Sequence, residues 1–297
     1  MRHIYFGLSR VKREMRHSLV TVPAWRLLRV AAPMAKSAPS GRLRGAIKTS
    51  FRLLSLSILC GLILVGSSNG ARAQPLAKET YPHTRVLYQA ASGKLPSSAQ
   101  LSLVSLGAMR AAQTYRKGVT ILDTTANIAG IAGYVANAGV GSSMTLNRTQ
   151  GFELAFNIQI LAETHRGADR NRDGIADRAG FSVLILGEDA RGIELGFWPN
   201  SIWAQADGNW PAGQSLLTHA ESATLSTQRM LHYRLQIKGD VYTLWVEDQP
   251  VLTGPVRDYA AFEGFPDVYA VPDLIFMGDN SGSGQARVAI QEIRVGY

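Results

Sequence analysis

The densest run of oxygen-bearing side chains in the chain is Asp169-Arg170-Asn171-Arg172-Asp173-Gly174-Ile175-Ala176-Asp177. Counting from Asp169, Asp, Asn, Asp and Asp stand at positions 1, 3, 5 and 9, glycine stands at position 6, and the carbonyl of Ile175 falls at position 7. Glycine there permits the sharp turn that points such oxygens inward, and an all-oxygen set of this kind suits calcium. Asp169, Asn171, Asp173, Ile175 and Asp177 are therefore the expected metal ligands. Two features weaken the pattern. Position 12 is Gly180, where a helix–loop–helix calcium site places a bidentate glutamate, and Arg170, Arg172 and Arg178 dilute the negative charge. The alternative is a polar connection in which Asp and Asn make local turns.

A second chemical feature is aromatic. Gly192–Trp198 alternates, turns at Pro199-Asn200, and continues into Ser201–Gln205. With a two-residue loop, Trp198 faces Ser201, Gly196 faces Trp203 and Glu194 faces Gln205. Ile193, Leu195, Phe197, Ile202 and Ala204 then share the core side. Glu194, Trp198, Trp203 and Gln205 share the other, as a flat apolar platform edged with polar groups, suited to the C–H face of a sugar ring. Asn157 and Gln159, on the polar face of another strand, complete the expected ligand-binding set. The competing expectation packs both tryptophans beneath a neighbouring loop. Trp210 and Trp245 read as structural. His165, His219 and His232 show no metal spacing or visible acid–base partner, and Asp279-Asn280 reads as a turn.

These residues sit on strands. In Gly151–Leu161, Phe152, Leu154, Phe156, Ile158 and Ile160 fall on one face and Glu153, Ala155, Asn157 and Gln159 on the other, the period of a half-buried strand. Phe181–Leu186 is apolar nearly throughout, as a strand covered on both faces should be. His232–Lys238 and Val241–Val246 flank Gly239-Asp240 as a hairpin. The last strand is expected near Arg85–Tyr88, and Leu101–Met109 reads equally as a short helix or a strand. Many short strands with turn-rich links predict an all-β fold, a two-sheet antiparallel sandwich, over residues 74–297.

The 297 residues carry a formal charge of +9, which would suggest nucleic acid as partner were it evenly spread. Residues 1–73 hold 13 Lys+Arg and one acidic residue, and the remaining 224 hold 18 basic and 21 acidic residues. The basicity belongs to the leader, and no nucleic-acid partner is expected. Leu53–Val65 is apolar, basic residues precede it, and Ala71-Arg72-Ala73 follows. A basic segment, a short apolar core and a small-x-small site read as a secretory signal, with Met34 as the expected translation start. The apolar run is shorter than the ~20 residues that span a bilayer, so no membrane span is expected after cleavage. The mature chain, from Gln74, would lie outside the cytoplasm, in the periplasm, at the cell surface or secreted. It would contain no cysteine, the single Cys60 being in the leader.

The Gly151–Leu161 strand, the calcium-type loop, the Phe181–Leu186 strand, the Gly192–Gln205 hairpin and Gly278-Asp279-Asn280 together resemble the concanavalin A-like jelly rolls of legume lectins, laminin-G-like domains, pentraxins and several glucanases. The loop itself resembles those of dockerin and thrombospondin repeats. The resemblance implies two stacked sheets, rim calcium sites, and either glycan or protein binding or polysaccharide cleavage. The Glu-x-Asp-x-(x)-Glu strand motif of the retaining glucanases is absent, since Glu188 and Asp189 are adjacent and Glu194 has no same-strand partner. A pair drawn from two strands, such as Glu153 with Glu194, is the remaining route to a hydrolase. The residues favour an exported, calcium-stabilised binding or adhesion module for a polysaccharide or cell-surface glycan. The alternatives are a hydrolase or lyase on the same scaffold, or a structural envelope protein.

Overall fold

The computed structural model describes residues 80–107, 111–126, 130–137, 143–167, 169–208, 215–264 and 267–297. The expected leader with Cys60, the start of the expected mature chain and Trp210 lie outside the described residues. Two antiparallel sheets form a sandwich. The larger runs in the order β13 (Gln249–Pro255), β12 (Val241–Val246), β11 (Leu231–Lys238), β6 (Phe152–His165), β15 (Gly284–Gly296), β4 (Val119–Asp123) and β3 (Ala112–Arg116). β1 (Thr84–Gln89) pairs with residues 292–296 of β15. The smaller runs β10 (His219–Thr224), β9 (Ser201–Gln205), β8 (Gly192–Trp198), β7 (Ser182–Leu186), β14 (Ile275–Asp279), β5 (Gly130–Ala136) and β2 (Ser102–Gly107). The ambiguous segment from Leu101 is thus a strand over Ser102–Gly107, and β1 lies beside the last strand as expected.

Period-two patterning builds the core. Phe152, Leu154, Phe156, Ile158 and Ile160 of β6 point between the sheets with Leu231, Tyr233, Leu235 and Ile237 of β11. Across the gap stand Ile193, Leu195, Phe197, Ile202 and Ala204, the five residues expected on that side. Aromatic rings pin the two layers together. Phe156 stacks on Tyr233 at 5.1 Å between centroids, and Phe197 meets Phe156, Tyr233 and Phe181 edge-on at 6.3, 5.6 and 5.7 Å. Such tilted pairs add to the stabilisation from burying the rings.

Both hairpins have the register read from sequence: Trp198 pairs with Ser201 and Gly196 with Trp203, and Lys238 pairs with Val241. Gly239 has φ +59°, the left-handed value a type II′ turn assigns to its first central residue. Pro199-Asn200 has no such residue and is braced from outside. Its carbonyls accept from the Thr227 and Leu225 amides at 2.9 and 3.1 Å.

β7 is buried throughout because it is covered twice. Val183 and Ile185 enter the inter-sheet core. Leu184 and Leu186 enter a second apolar cluster on the outer face, with Leu217, Tyr259, Tyr269, Leu274 and Phe276. Tyr259 and Tyr269 come from the connection between β13 and β14, which folds back over the smaller sheet. That cap determines what the outer face of β8 and β9 can do.

Candidate functional site

The six residues expected to bind ligand divide between opposite outer faces of the sandwich. Asn157 and Gln159 lie on the larger sheet and Glu194, Trp198, Trp203 and Gln205 on the smaller. They do not form one site. The pairing of Glu153 with Glu194 as catalytic carboxylates fails for the same reason, since the whole sandwich lies between them.

The open aromatic platform also requires correction. Glu194 and Trp203 are fully buried, Gln205 is 1% exposed, and Trp198 alone of the four is half-buried. The Trp203 indole lies against Gly196, where a Cβ would come within 2.5 Å of the ring. His219 stacks on its other side at 4.0 Å, and His165 stacks on Trp198 at 4.1 Å. Burial pushes the His219 pKa down to about 4, so its ring is neutral at pH 7. The rings of His165, Trp198, Trp203 and His219 pack on one another as two stacked pairs, with Trp198 tilted 59° to Trp203 at 4.5 Å.

Glu194 sits at the centre of a polar knot beneath the cap. Arg178 Nη2 donates to Glu194 Oε1 at 3.0 Å and to the Asn280 carbonyl at 2.6 Å. The Tyr269 hydroxyl donates to Glu194 Oε2, and the Tyr259 hydroxyl donates to the Gln205 carbonyl while accepting from the Glu194 amide. A buried carboxylate is tolerable only when bonded in this way. No signal in β8 foretold it, but the Tyr259, Phe262 and Tyr269 series in a connection without strand alternation marks an element that must cover something.

The Asp169–Asp177 loop has the expected turn. Asp169 accepts from the amides of Asp173 and Gly174 at 3.0 and 2.9 Å, and Gly174 has φ +85°. Asp173 accepts from the Ile175 amide and the Asn171 side chain, both at 2.8 Å, and Asp177 accepts from the Arg170 amide at 2.5 Å. The Ile175 amide and Asn171 hold the exposed Asp173 carboxyl below its usual pKa, whereas burial raises that of Asp177. The donors have the right chemistry for calcium, but their positions do not enclose an ion. Asn171, Asp173 and Ile175 are exposed, Asp177 is buried, and among the described residues no three His, Cys, Asp or Glu side chains gather as a metal cage. Gly180 explains the missing glutamate at position 12: a Cβ there would lie 2.1 Å from the Gln285 backbone. The Gly180 amide instead donates to Glu163 at 3.0 Å, and Glu163 pairs with His165 at 3.0 Å, a partner the sequence did not reveal.

The outer face of the larger sheet carries a groove of about 330 Å³. β11 pairs with β6 and β6 with β15, so His232, Asn157 and Glu292 form one cross-strand row, and Arg234, Ala155 and Arg294 the next. His232 Nδ1 lies 2.7 Å from Asn157 Oδ1. Arg234 donates to Glu153 at 2.9 Å and lies 5.3 Å over the Trp245 ring. Tyr81 packs over Gly296 and bonds Gln236 at 3.0 Å. Asn157 is the expected residue that lines this groove; Gln159 lies outside its lining and donates to the Gln228 carbonyl at 2.8 Å. Sequence reading missed His232, Arg234, Glu292, Arg294 and Tyr81. Alternation alone placed His232 and Arg234 on one face, but which strand lies beside β6 is a long-range fact.

No protein-family model matches the chain, and no curated protein sequence matches it. Among solved structures, a carbohydrate esterase from the Shiga toxin-encoding bacteriophage phi24B is similar over 72% of this chain and 98% of its own, with 14% identity and a TM-score of 0.45. A Bacillus subtilis protein with a galectin-like fold matches over 74% and 97%, with 7% identity and a TM-score of 0.43. The exoplasmic/lumenal domain of VIP36, in a Ca2+- and mannose-bound form, matches over 72% and 88%, with 9% identity and a TM-score of 0.39.

Proposed function

We propose that the chain is a glycan-binding module of the concanavalin A-like superfamily whose ligand lies across the outer face of the larger sheet. The observation that carries this reading is the groove, in which hydrogen-bonding groups of Asn157, His232, Arg234 and Glu153 lie in adjacent rows beside the ring of Tyr81. Sugars need this combination of an apolar surface and a few fixed polar groups. Hydrolysis by two carboxylates is disfavoured. Glu153 pairs with Gly296 and Glu292 with Asn157, which sets their Cα atoms four residues apart along the strands, about 14 Å at strand rise. Each carboxyl is already bound to an arginine, Glu153 to Arg234 and Glu292 to Arg294. Retaining and inverting cleavage need about 5 Å and 6.5–9.5 Å.

On a glycan array, Asn157→Ala and His232→Ala are expected to weaken the signal about tenfold each, one lost hydrogen bond with its buried partner left unpaired. Undiminished signal in both folded variants would sink the reading. Calcium belongs to it as a weakly held loop-ordering ion, for which Asp169, Asp173 and Asp177 would have to leave their present amide bonds and converge with Asn171 and the Ile175 carbonyl. Residues 1–73 belong to it as an export leader. N-terminal sequencing of the exported product should then begin at Gln74, and a product retaining the leader would contradict export by cleavage.

A further inference from the structure

A second cavity, of about 340 Å³, opens on the opposite face of the sandwich, between the cap, the loop after β14 and the start of the Asp169–Asp177 loop. Its walls differ in character. One side is apolar, with Ile131, Leu217, Phe262 and Val268. The other is polar, with Arg170, Arg178, the Tyr269 hydroxyl and the turn Asn280–Ser283. Among the described residues both charged groups of the lining are arginines, and no carboxylate faces the cavity.

The two arginines are spent differently. Arg178 is buried and commits Nη2 to Glu194 and to the Asn280 carbonyl, while its Nη1 has no hydrogen-bond partner among the described residues. Arg170 is exposed at the mouth, and among the described residues its guanidinium donates to one neutral group, the Leu216 carbonyl, at 3.2 Å. Glu194 already pairs with Arg178. Arg170 feels the charge of Asp177 but makes no ion pair among the described residues, so its guanidinium is the one left to meet an anion. The knot of Glu194, Tyr269 and Asn280 holds the polar end rigid from below. Guanidinium groups pair with carboxylates through two parallel donors, a geometry a neutral hydroxyl does not reproduce.

We propose that this cavity binds a small organic carboxylate with an apolar face, its carboxylate against Arg170 and its ring or chain against Phe262 and Leu217. The site is independent of the groove, and failure of either leaves the other standing. Two sources share the chemistry, a sugar acid and a hydroxyl-free carboxylic acid, and calorimetry with D-glucuronate, cyclohexanecarboxylate and glucose separates them. At least one of the two carboxylates should bind the purified protein at millimolar concentration, and whichever binds identifies the source. Arg170→Gln, a change at an exposed position, should weaken it about tenfold or more, the worth of one charge-assisted bond. Asn157→Ala, in the groove, should leave it unchanged. The proposal is overturned if neither carboxylate binds, if Arg170→Gln binds as the parent does, if Asn157→Ala abolishes binding, or if glucose binds as tightly as glucuronate.

Discussion

Asp279 brings a carboxyl group into the interior with its bonding half done. Oδ1 accepts from the amide and hydroxyl of Ser281, both at 2.9 Å, whereas Oδ2 has no partner among the described residues. Burial pushes its pKa up to about 8, against about 3.9 in an unfolded chain. Between about pH 4 and pH 8 the folded protein keeps a proton that the unfolded chain has lost, so this group's contribution to stability falls as pH rises through that window. Asp279→Asn keeps the shape and removes the titration. Urea denaturation across the window should show the parent losing stability relative to Asp279→Asn by on the order of a few kcal/mol; parallel profiles would contradict the assignment. His219 acts with the opposite sign. Its pKa is pushed down to about 4 by burial, so its contribution falls as pH drops from about 6.5 toward 4. It is common to both proteins and cancels in the difference. Neither residue's burial was legible, because alternation assigns a side chain to a face and says nothing about whether water or another segment meets that face.

At the scale of elements, hairpins were the most legible features. The registers at Pro199-Asn200 and Gly239-Asp240 follow from loop length and alternation over fewer than twenty residues. The Asp169–Asp177 loop was legible as a turn and not as a cage, since the glycine and Asx positions dictate the backbone while ligand convergence depends on what the loop packs against. Here the segment that follows it is drawn toward β15 by the close approach of Gly180 to Gln285 and toward β6 by the bond from Gly180 to Glu163. Calcium binding would have to compete with the amide bonds that now satisfy Asp169 and Asp173, so the affinity expected is millimolar, the range of extracellular modules. Calorimetry with calcium should register that binding and lose it in Asp173→Ala. No heat at millimolar calcium, or equal heat in the variant, removes calcium from the account.

For the whole molecule, the sandwich and its double-covered β7 could be read from the pattern of apolar residues, but the order of strands could not. Asn157 and Glu194 are both polar residues on alternating strands, and alternation is blind to which sheet a strand joins. Only the pairing of β6 with β11 and β15, set by contacts distant in sequence, puts Asn157 beside His232 and Glu292. That same pairing has a temporal side. β15, the last strand in chain order, lies at the middle of the larger sheet, with β6 on one flank and β4 and β1 on the other. While the chain is being made from its N-terminal end, β1, β4 and β6 have no common neighbour to join them. The groove's floor cannot exist until β15 arrives, so the nascent chain should remain in search of its partner strand, slow to fold and exposed to chaperones or proteases.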